Sequence, residues 1–253
     1  MKRHLTYLFT GIFLVSLAFS PVLSTVLQDD QAKKAEVKKI IEKLIKAQGG
    51  RDVLSKIKDT TTSASMELIQ MGMSGSMTMY QKEPNMMRMD MELMGMVITQ
   101  AYDGETAWMT NPQTGATEEM PEQFVDDLKR QAMGNDTLLN PDKHGITFSY
   151  EGKETIEEKE YIIIKLSFTD GYEVTMYLDS ETYLVYKTKA MAMNQMGVEV
   201  EAETFMYDYK EVEGTIVPFT ITIYQDGEEF MTMEITEIKY NSGLEDSFFK
   251  MEG

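Results

Sequence analysis

The stretch "MGMSGSMTMYQKEPNMMRMDMELMGM", Met71 to Met96, places ten methionines in twenty-six residues. Its order is as restrictive as its composition. Met71, Met73, Met77 and Met79 share one parity, interrupted at Gly75, and Met87, Met89 and Met91 alternate with Arg88, Asp90 and Glu92. Period-two alternation belongs to a strand with one face turned inward. Strand interiors ordinarily use Val, Ile and Phe. Here one face is built from an unbranched, polarizable side chain instead.

The same alternation continues to the end of the chain. Ile162, Ile164, Leu166 and Phe168 share a face, as do Tyr172, Val174, Met176 and Leu178. Phe219, Ile221 and Ile223 repeat the pattern, followed by Met231, Met233 and Ile235. Turn signals such as Glu83-Pro84-Asn85, Asp103-Gly104, Thr169-Asp170-Gly171 and Asp226-Gly227 separate the runs. Short turns between such runs predict an antiparallel meander of about eleven strands. A sheet that is apolar on one face must curve and be covered. The predicted fold is therefore mainly β, an incomplete antiparallel barrel.

Two helices are predicted as covers. Val37, Ile40, Ile41, Leu44 and Ile45 fall at i, i+3, i+4, i+7 and i+8, ending at Gly49-Gly50. This predicts an amphipathic helix over 35–48 after a loose polar lead-in. The second is Pro121 to Met133, with Phe124, Val125 and Leu128 on one side.

The first twenty-four residues read as a secretory leader. Lys2, Arg3 and His4 precede an apolar run from Leu5 to Phe19, too short for a comfortable span, and cleavage is expected near Ser24. An uncleaved anchor is the alternative. No cysteine follows the run, so the chain is not itself lipidated in the bacterial manner. Residues 25–253 are expected to form one domain in an exported protein. The formal charge of −18 becomes −20 once Lys2 and Arg3 leave. That balance gives no attraction to nucleic acid or to anionic lipid surfaces.

The chain has no cysteine and two histidines, one in the leader. It carries no nucleophile elbow, zinc helix motif, phosphate loop or dinucleotide fingerprint. Acidic pairs occur, but as an acidic chain supplies them on solvated faces. A non-enzymatic protein without cofactor is expected. The methionines then carry three open readings. They fill a core; they line a plastic cavity for variable apolar guests; or, through Met71-x-Met73, Met77-x-Met79, Met87-x-Met89-x-Met91 and Met191-x-Met193, they offer soft sulfur to Cu(I).

An ordered set of residues bears on these readings: Lys82-x-Pro84-Asn85, then Asp103-Gly104-x-Thr106-x-Trp108, then Asn111-Pro112. It resembles the periplasmic lipoprotein carriers and outer-membrane lipoprotein-sorting proteins of the LolA/LolB-like family. The resemblance implies an incomplete barrel closed by a helical lid around a cavity for lipoprotein acyl chains or lipid. It also implies a periplasmic monomer that takes cargo from an inner-membrane donor to an outer-membrane acceptor. On that reading the cavity is lined by Met71, Met73, Met77, Met79, Met87, Met89, Met91, Trp108, Met176, Met231 and Met233. The lid is carried by Val37, Ile40, Ile41, Leu44, Ile45, Phe124 and Leu128. The family places an arginine directly before the proline, where it holds the lid shut, and an aromatic shortly after it. Here those positions are Glu83 and Met87.

Overall fold

A computed structural model describes residues 21–251 apart from Pro112 and Gln195. Most of the expected leader lies outside the described residues.

Helix α1 (Pro21–Ala47) is followed by a single turn, α2 (Arg51–Leu54). Strands β1 (Asp59–Leu68), β2 (Met73–Lys82), β3 (Met86–Leu93), β4 (Met96–Tyr102), β5 (Ala107–Thr110) and β6 (Thr117–Glu119) come next. Two helices interrupt the strands: α3 (Glu122–Gln131) and α4 (Asn135–Leu139). The chain resumes with β7 (Thr147–Ile156), β8 (Lys159–Ser167), β9 (Glu173–Asp179), β10 (Val185–Met193), β11 (Glu199–Val212), β12 (Thr215–Gln225) and β13 (Glu228–Tyr240).

All thirteen strands form one antiparallel sheet in the order β6-β5-β4-β3-β2-β1-β13-β12-β11-β10-β9-β8-β7. The first six strands meander outward in one direction and the last seven return to pair β13 with β1. The sheet does not close; α3 and α4 carry the chain between its edge strands β6 and β7. Register shifts at Ser63/Ala64, Tyr150/Gly152, Val185/Lys187 and Ile223/Tyr224 insert bulges. Bulges increase local twist and let a large sheet coil into an incomplete barrel.

The sheet has thirteen strands where about eleven were expected; β6, a three-residue edge strand of exposed residues, has no apolar pattern to reveal it. The loose lead-in is also corrected: α1 is continuous from Pro21. The run Gln31-Ala32-Lys33-Lys34-Ala35-Glu36 consists of good helix formers, which extend the helix without needing buried contacts.

Local sequence explains how the elements meet. Gly75 interrupts the methionine alternation because a Cβ there would stand 2.1 Å from the Glu92 carbonyl oxygen and 2.8 Å from Leu93 Cδ2. Leu93 occupies the space that a side chain at 75 would need. At the β3–β4 hairpin, Met94 (φ 53°) and Gly95 (φ 80°) form the two-residue turn with both central residues left-handed, whose twist matches antiparallel strands.

The convex face of β8–β12 is not simply polar. Tyr161 stacks on Tyr186 at 4.5 Å, and Phe205 and Tyr224 extend the ring contacts across neighbouring strands. Cross-strand aromatic pairs of this kind stabilise a sheet from its outer side.

Candidate functional site

The concave face divides into three apolar strips. Over β7–β10, α1 lays down its stripe: Val37, Ile40, Ile41, Leu44 and Ile45 are all buried with Ile162, Ile164, Leu178 and Val185. Each such side chain contributes about 1.5–3 kcal/mol by leaving water. Over β3–β5, α3 presents Phe124, Val125, Leu128 and Ala132 to Met87, Tyr102 and Ala107. Between them lies a strip from β1, β2, β3, β12 and β13. It contains Met66, Leu68, Met73, Met77, Met89, Met91, Met231 and Met233 with Ile221, Ile223 and Ile235. Among the described residues this middle strip includes no helical side chain.

The register explains the methionine pattern. Across β2 and β3, Met77 stands opposite Met91 and Met79 opposite Met89. Met66 stands opposite Met233, and Leu68 is flanked by Met73 and Met231. Cross-strand neighbours on one face interact directly, so the sulfurs and terminal methyls form a contiguous layer. Most of these side chains are only partly buried, including Met73, Met89, Met91 and Met231.

At the end of the sheet where β1 begins lies a cavity of about 390 Å³. Its walls include Ile57, Met79, Ile221, Ile235 and Ile238, closed on one side by Met133, Gly134, Asn135 and Leu138. The size falls within the range of small-ligand sites. Two of its charged lining groups, Asp59 and Lys82, are engaged, while Glu83 Oε2 is buried without a hydrogen-bond partner among the described residues. The Asp59 carboxylate accepts hydrogen bonds from the Ser242 and Gly243 N–H groups (2.6 and 3.0 Å). Lys82 Nζ donates to the Leu244 carbonyl at 2.6 Å and pairs with Asp246.

Glu83 joins the sheet to the helical cover. Its Oε1 accepts a hydrogen bond from the Asn135 N–H at 2.6 Å, at the start of α4. Burial raises the Glu83 pKa above the ordinary carboxylate value, while hydrogen bonds from the α4 backbone oppose the shift. A Cβ on Gly134 would fall 2.3 Å from Oε1, so the close approach depends on glycine there. At the other side of the cover, Arg130 bonds Asp170 at 3.0 Å and stacks over the Tyr172 ring at 3.8 Å. Asp127 accepts the Met193 N–H at 3.1 Å. The α3–α4 segment is thus fastened by polar contacts to both halves of the sheet. Within it Asp136 is held well below the usual carboxylate range by hydrogen bonds from Lys143, His144 and Asn140.

The residues singled out from sequence are therefore distributed. Met73, Met77, Met89, Met91, Met231 and Met233 meet in the middle strip, and Met79 lines the cavity. Met87 is 0% exposed beneath α3, and Met176 packs in the strip beneath α1. Two placements are corrections. Met71 lies in a 3-10 turn after β1 and is 46% exposed, because the strand ends at Leu68. Trp108 is on the opposite face from its neighbours Ala107 and Met109. It is 4% exposed, with Nε1–H donating to the Phe249 carbonyl at 2.7 Å and the Arg88 guanidinium nearby. The C-terminal residues cover it from the convex side.

Sequence reasoning missed α4 and the engagement of Glu83, Arg130 and Asp127. The only local signal was Gly134-Asn135-Asp136 before Thr137-Leu138-Leu139, a helix start of the usual composition. No group of three His, Asp or Glu side chains is placed to hold a metal among the described residues, and no described helix is long and apolar enough to cross a membrane.

The sequence matches no family model and no curated relative. The structure does have likenesses. A DUF1329 family protein from Desulfovibrio piger aligns over 85% of this chain and 97% of its own, with TM-score 0.57 and 13% identity. A LolA superfamily protein from Nitrosomonas europaea aligns over the same shares, also with TM-score 0.57 and 13% identity. A domain named for outer membrane lipoprotein sorting, from Vibrio parahaemolyticus, aligns over 85% and 97% with TM-score 0.56 and 11% identity. This chain has a LolA/LolB-like fold.

Proposed function

We propose that this protein is an exported, periplasmic, non-enzymatic carrier that holds the acyl chains of a lipoprotein or lipid against its concave face. In this reading residues 25–253 act as one monomeric unit. They receive cargo from an inner-membrane donor and deliver it to an outer-membrane acceptor. The observation that carries the reading is the middle strip: a contiguous methionine layer that, among the described residues, receives no helical side chain, between two strips that do. The cavity of about 390 Å³ continues it toward the α4 side.

The energetics favour such a guest. Acyl chains in water cost about 0.8 kcal/mol per CH₂, so sixteen carbons represent on the order of 12 kcal/mol. A soluble carrier offsets much of this by apolar contact and must still release the chain. Methionine, with three rotatable bonds and no branching, conforms to a flexible guest without a single locked packing. The outer membrane lipoprotein-sorting name of one protein with this fold supports the cargo class.

Native mass spectrometry of the protein purified from its own host, with lipid identification after solvent extraction, tests the reading. Co-purifying acylated species in stoichiometric amount are expected. Protein that carries no lipid and takes up no acyl-chain probe refutes it.

A further inference from the structure

The charge of the chain is unevenly divided. Residues 59–253 carry thirteen basic and thirty-seven acidic side chains, a balance of −24, whereas residues 31–58 carry nine and three, a balance of +6. The basic side chains of the two parts are also used differently. From Lys82 to Lys239 every lysine and arginine lies within 3.6 Å of a carboxylate. On α1, Lys34, Lys38, Lys39, Lys43 and Lys46 are exposed, and none of the five forms an ion pair among the described residues. Lys43 instead donates to Tyr183 Oη at 2.7 Å and stands over that ring.

Lysines on the solvent side of a helix are ordinary. Lysines left unpaired in a chain with carboxylates to spare are not, and their position explains it. Lys39, Lys43 and Lys46 recur at i, i+4 and i+7 on the side opposite the buried stripe, with Lys34 and Lys38 one turn apart along its shoulder. The five span about 18 Å of helix. They stand above the sheet by the width of a helix, about 10–12 Å, which exceeds the screening length of about 8 Å at physiological ionic strength. Most carboxylates of the sheet therefore neither reach nor mask them. On the helix itself, Glu42 is taken by Arg51.

We infer that the outer face of α1 is a docking surface for an acidic peptide segment of a partner protein. The face is a ridge one helix wide with acidic ground beside it: the β9–β10 turn that Lys43 touches also carries the exposed Glu181. A helix or extended run rich in Asp and Glu can lie along the ridge and meet its lysines alone. An anionic bilayer is a plane and would meet the −24 body as well. All five charges are lysines, mobile point charges rather than planar forks, and Val37, Ile40, Ile41, Leu44 and Ile45 are turned inward. A contact of this composition forms quickly, is weak and is sensitive to salt. It goes beyond the carrier reading and uses none of the methionine strip.

A fluorescent polyglutamate peptide titrated into the mature chain tests it, read by anisotropy and by amide NMR shifts. Binding at low salt that weakens steeply as salt is added is expected despite the net negative charge, with shifts concentrated in residues 33–48. The variant Lys34→Gln, Lys38→Gln, Lys39→Gln, Lys46→Gln keeps good helix formers and should bind about tenfold or more weakly. The variant Lys153→Gln, Lys165→Gln, Lys189→Gln, Lys239→Gln removes as many charges elsewhere and should keep most of the binding. Wild-type protein that does not bind, or shifts that fall outside α1, overturn the proposal. Equal losses in the two variants also overturn it, since net charge and not the face would be responsible. So does displacement of the peptide by phosphatidylglycerol vesicles, which would give the face to a bilayer. A salt-sensitive wild-type dimer that the α1 variant lacks would make the face a contact between copies and overturns it too. Acyl-probe uptake by the same samples reports on the carrier reading independently of each result.

Discussion

The Glu83 carboxylate accepts the Asn135 backbone N–H at 2.6 Å, tying the β2–β3 turn to the first residue of α4. An arginine here would donate; a glutamate accepts, and a helix start offers the N–H groups it needs. The same position can thus fasten a cover by the opposite chemistry.

The Glu83 contact sets a pH dependence. Its pKa is raised in the folded protein, chiefly by burial. A raised carboxylate favours the fold while protonated, below its ordinary value, and that contribution is lost as pH rises through the raised value. Glu83→Gln keeps an acceptor without the charge. It is expected to flatten the stability-versus-pH curve just above the ordinary carboxylate range. Glu83→Ala leaves the Asn135 N–H without its partner and should cost about 1–2 kcal/mol. Urea titrations across that range check both; parallel curves for wild type and Glu83→Gln would sink the assignment.

Gly134→Ala should break the same contact by a different route, since its Cβ would fall 2.3 Å from Glu83 Oε1. Combined with Glu83→Ala the losses should be less than additive, with a coupling of about 0.5–3 kcal/mol. A double-mutant cycle measures this. Simple additivity would mean that the glycine serves something else.

Met87 and Met89 lie two residues apart on one strand face but in different surroundings. Met87 is enclosed beneath α3, while Met89 is half-buried in the uncovered strip. Met89→Asp can hydrate and should fold with modest loss while abolishing acyl-probe binding. Met87→Asp cannot, and should cost several kcal/mol or leave insoluble protein. Circular dichroism melts beside a probe titration decide; equal destabilisation would show that the strip is a packed core.

Leu44, 1% exposed at the centre of the α1 stripe, should cost about 2–5 kcal/mol as Leu44→Ala. Deleting residues 25–50 uncovers the strip over β7–β10 and should produce association and hydrophobic-dye binding. A deleted chain that stays monomeric and dye-free would contradict the cover role.

Trp108→Phe removes the hydrogen bond to the Phe249 carbonyl. Stability should fall by about 1–2 kcal/mol, and the C-terminal residues should become more sensitive to carboxypeptidase. Acyl-probe binding should not change, because the ring lies on the convex face. Lost probe binding with an intact fold would return Trp108 to the cargo side.

The alternation at 71–96 and 160–239 and the stripe at Val37–Ile45 were enough to establish an antiparallel, one-face-apolar sheet with a helix laid on it. Both periodicities are local: backbone geometry alone determines which side chains of one element share a face. Where those faces lie is not local. That Met89 is left uncovered while Met87 is enclosed depends on where α3 crosses β3, through contacts with Tyr102 and Ala107. That Trp108, on the convex face, is enclosed depends on the C-terminal segment, whose Phe249 carbonyl accepts its N–H from 141 residues away. Glu83 gained its role from α4, more than fifty residues on, whose short start carries no apolar period. Sequence determined the parity of each strand because parity is a property of consecutive bonds. Tertiary structure decided which part of the common face is enclosed and which is open, because enclosure is made by residues distant in the chain.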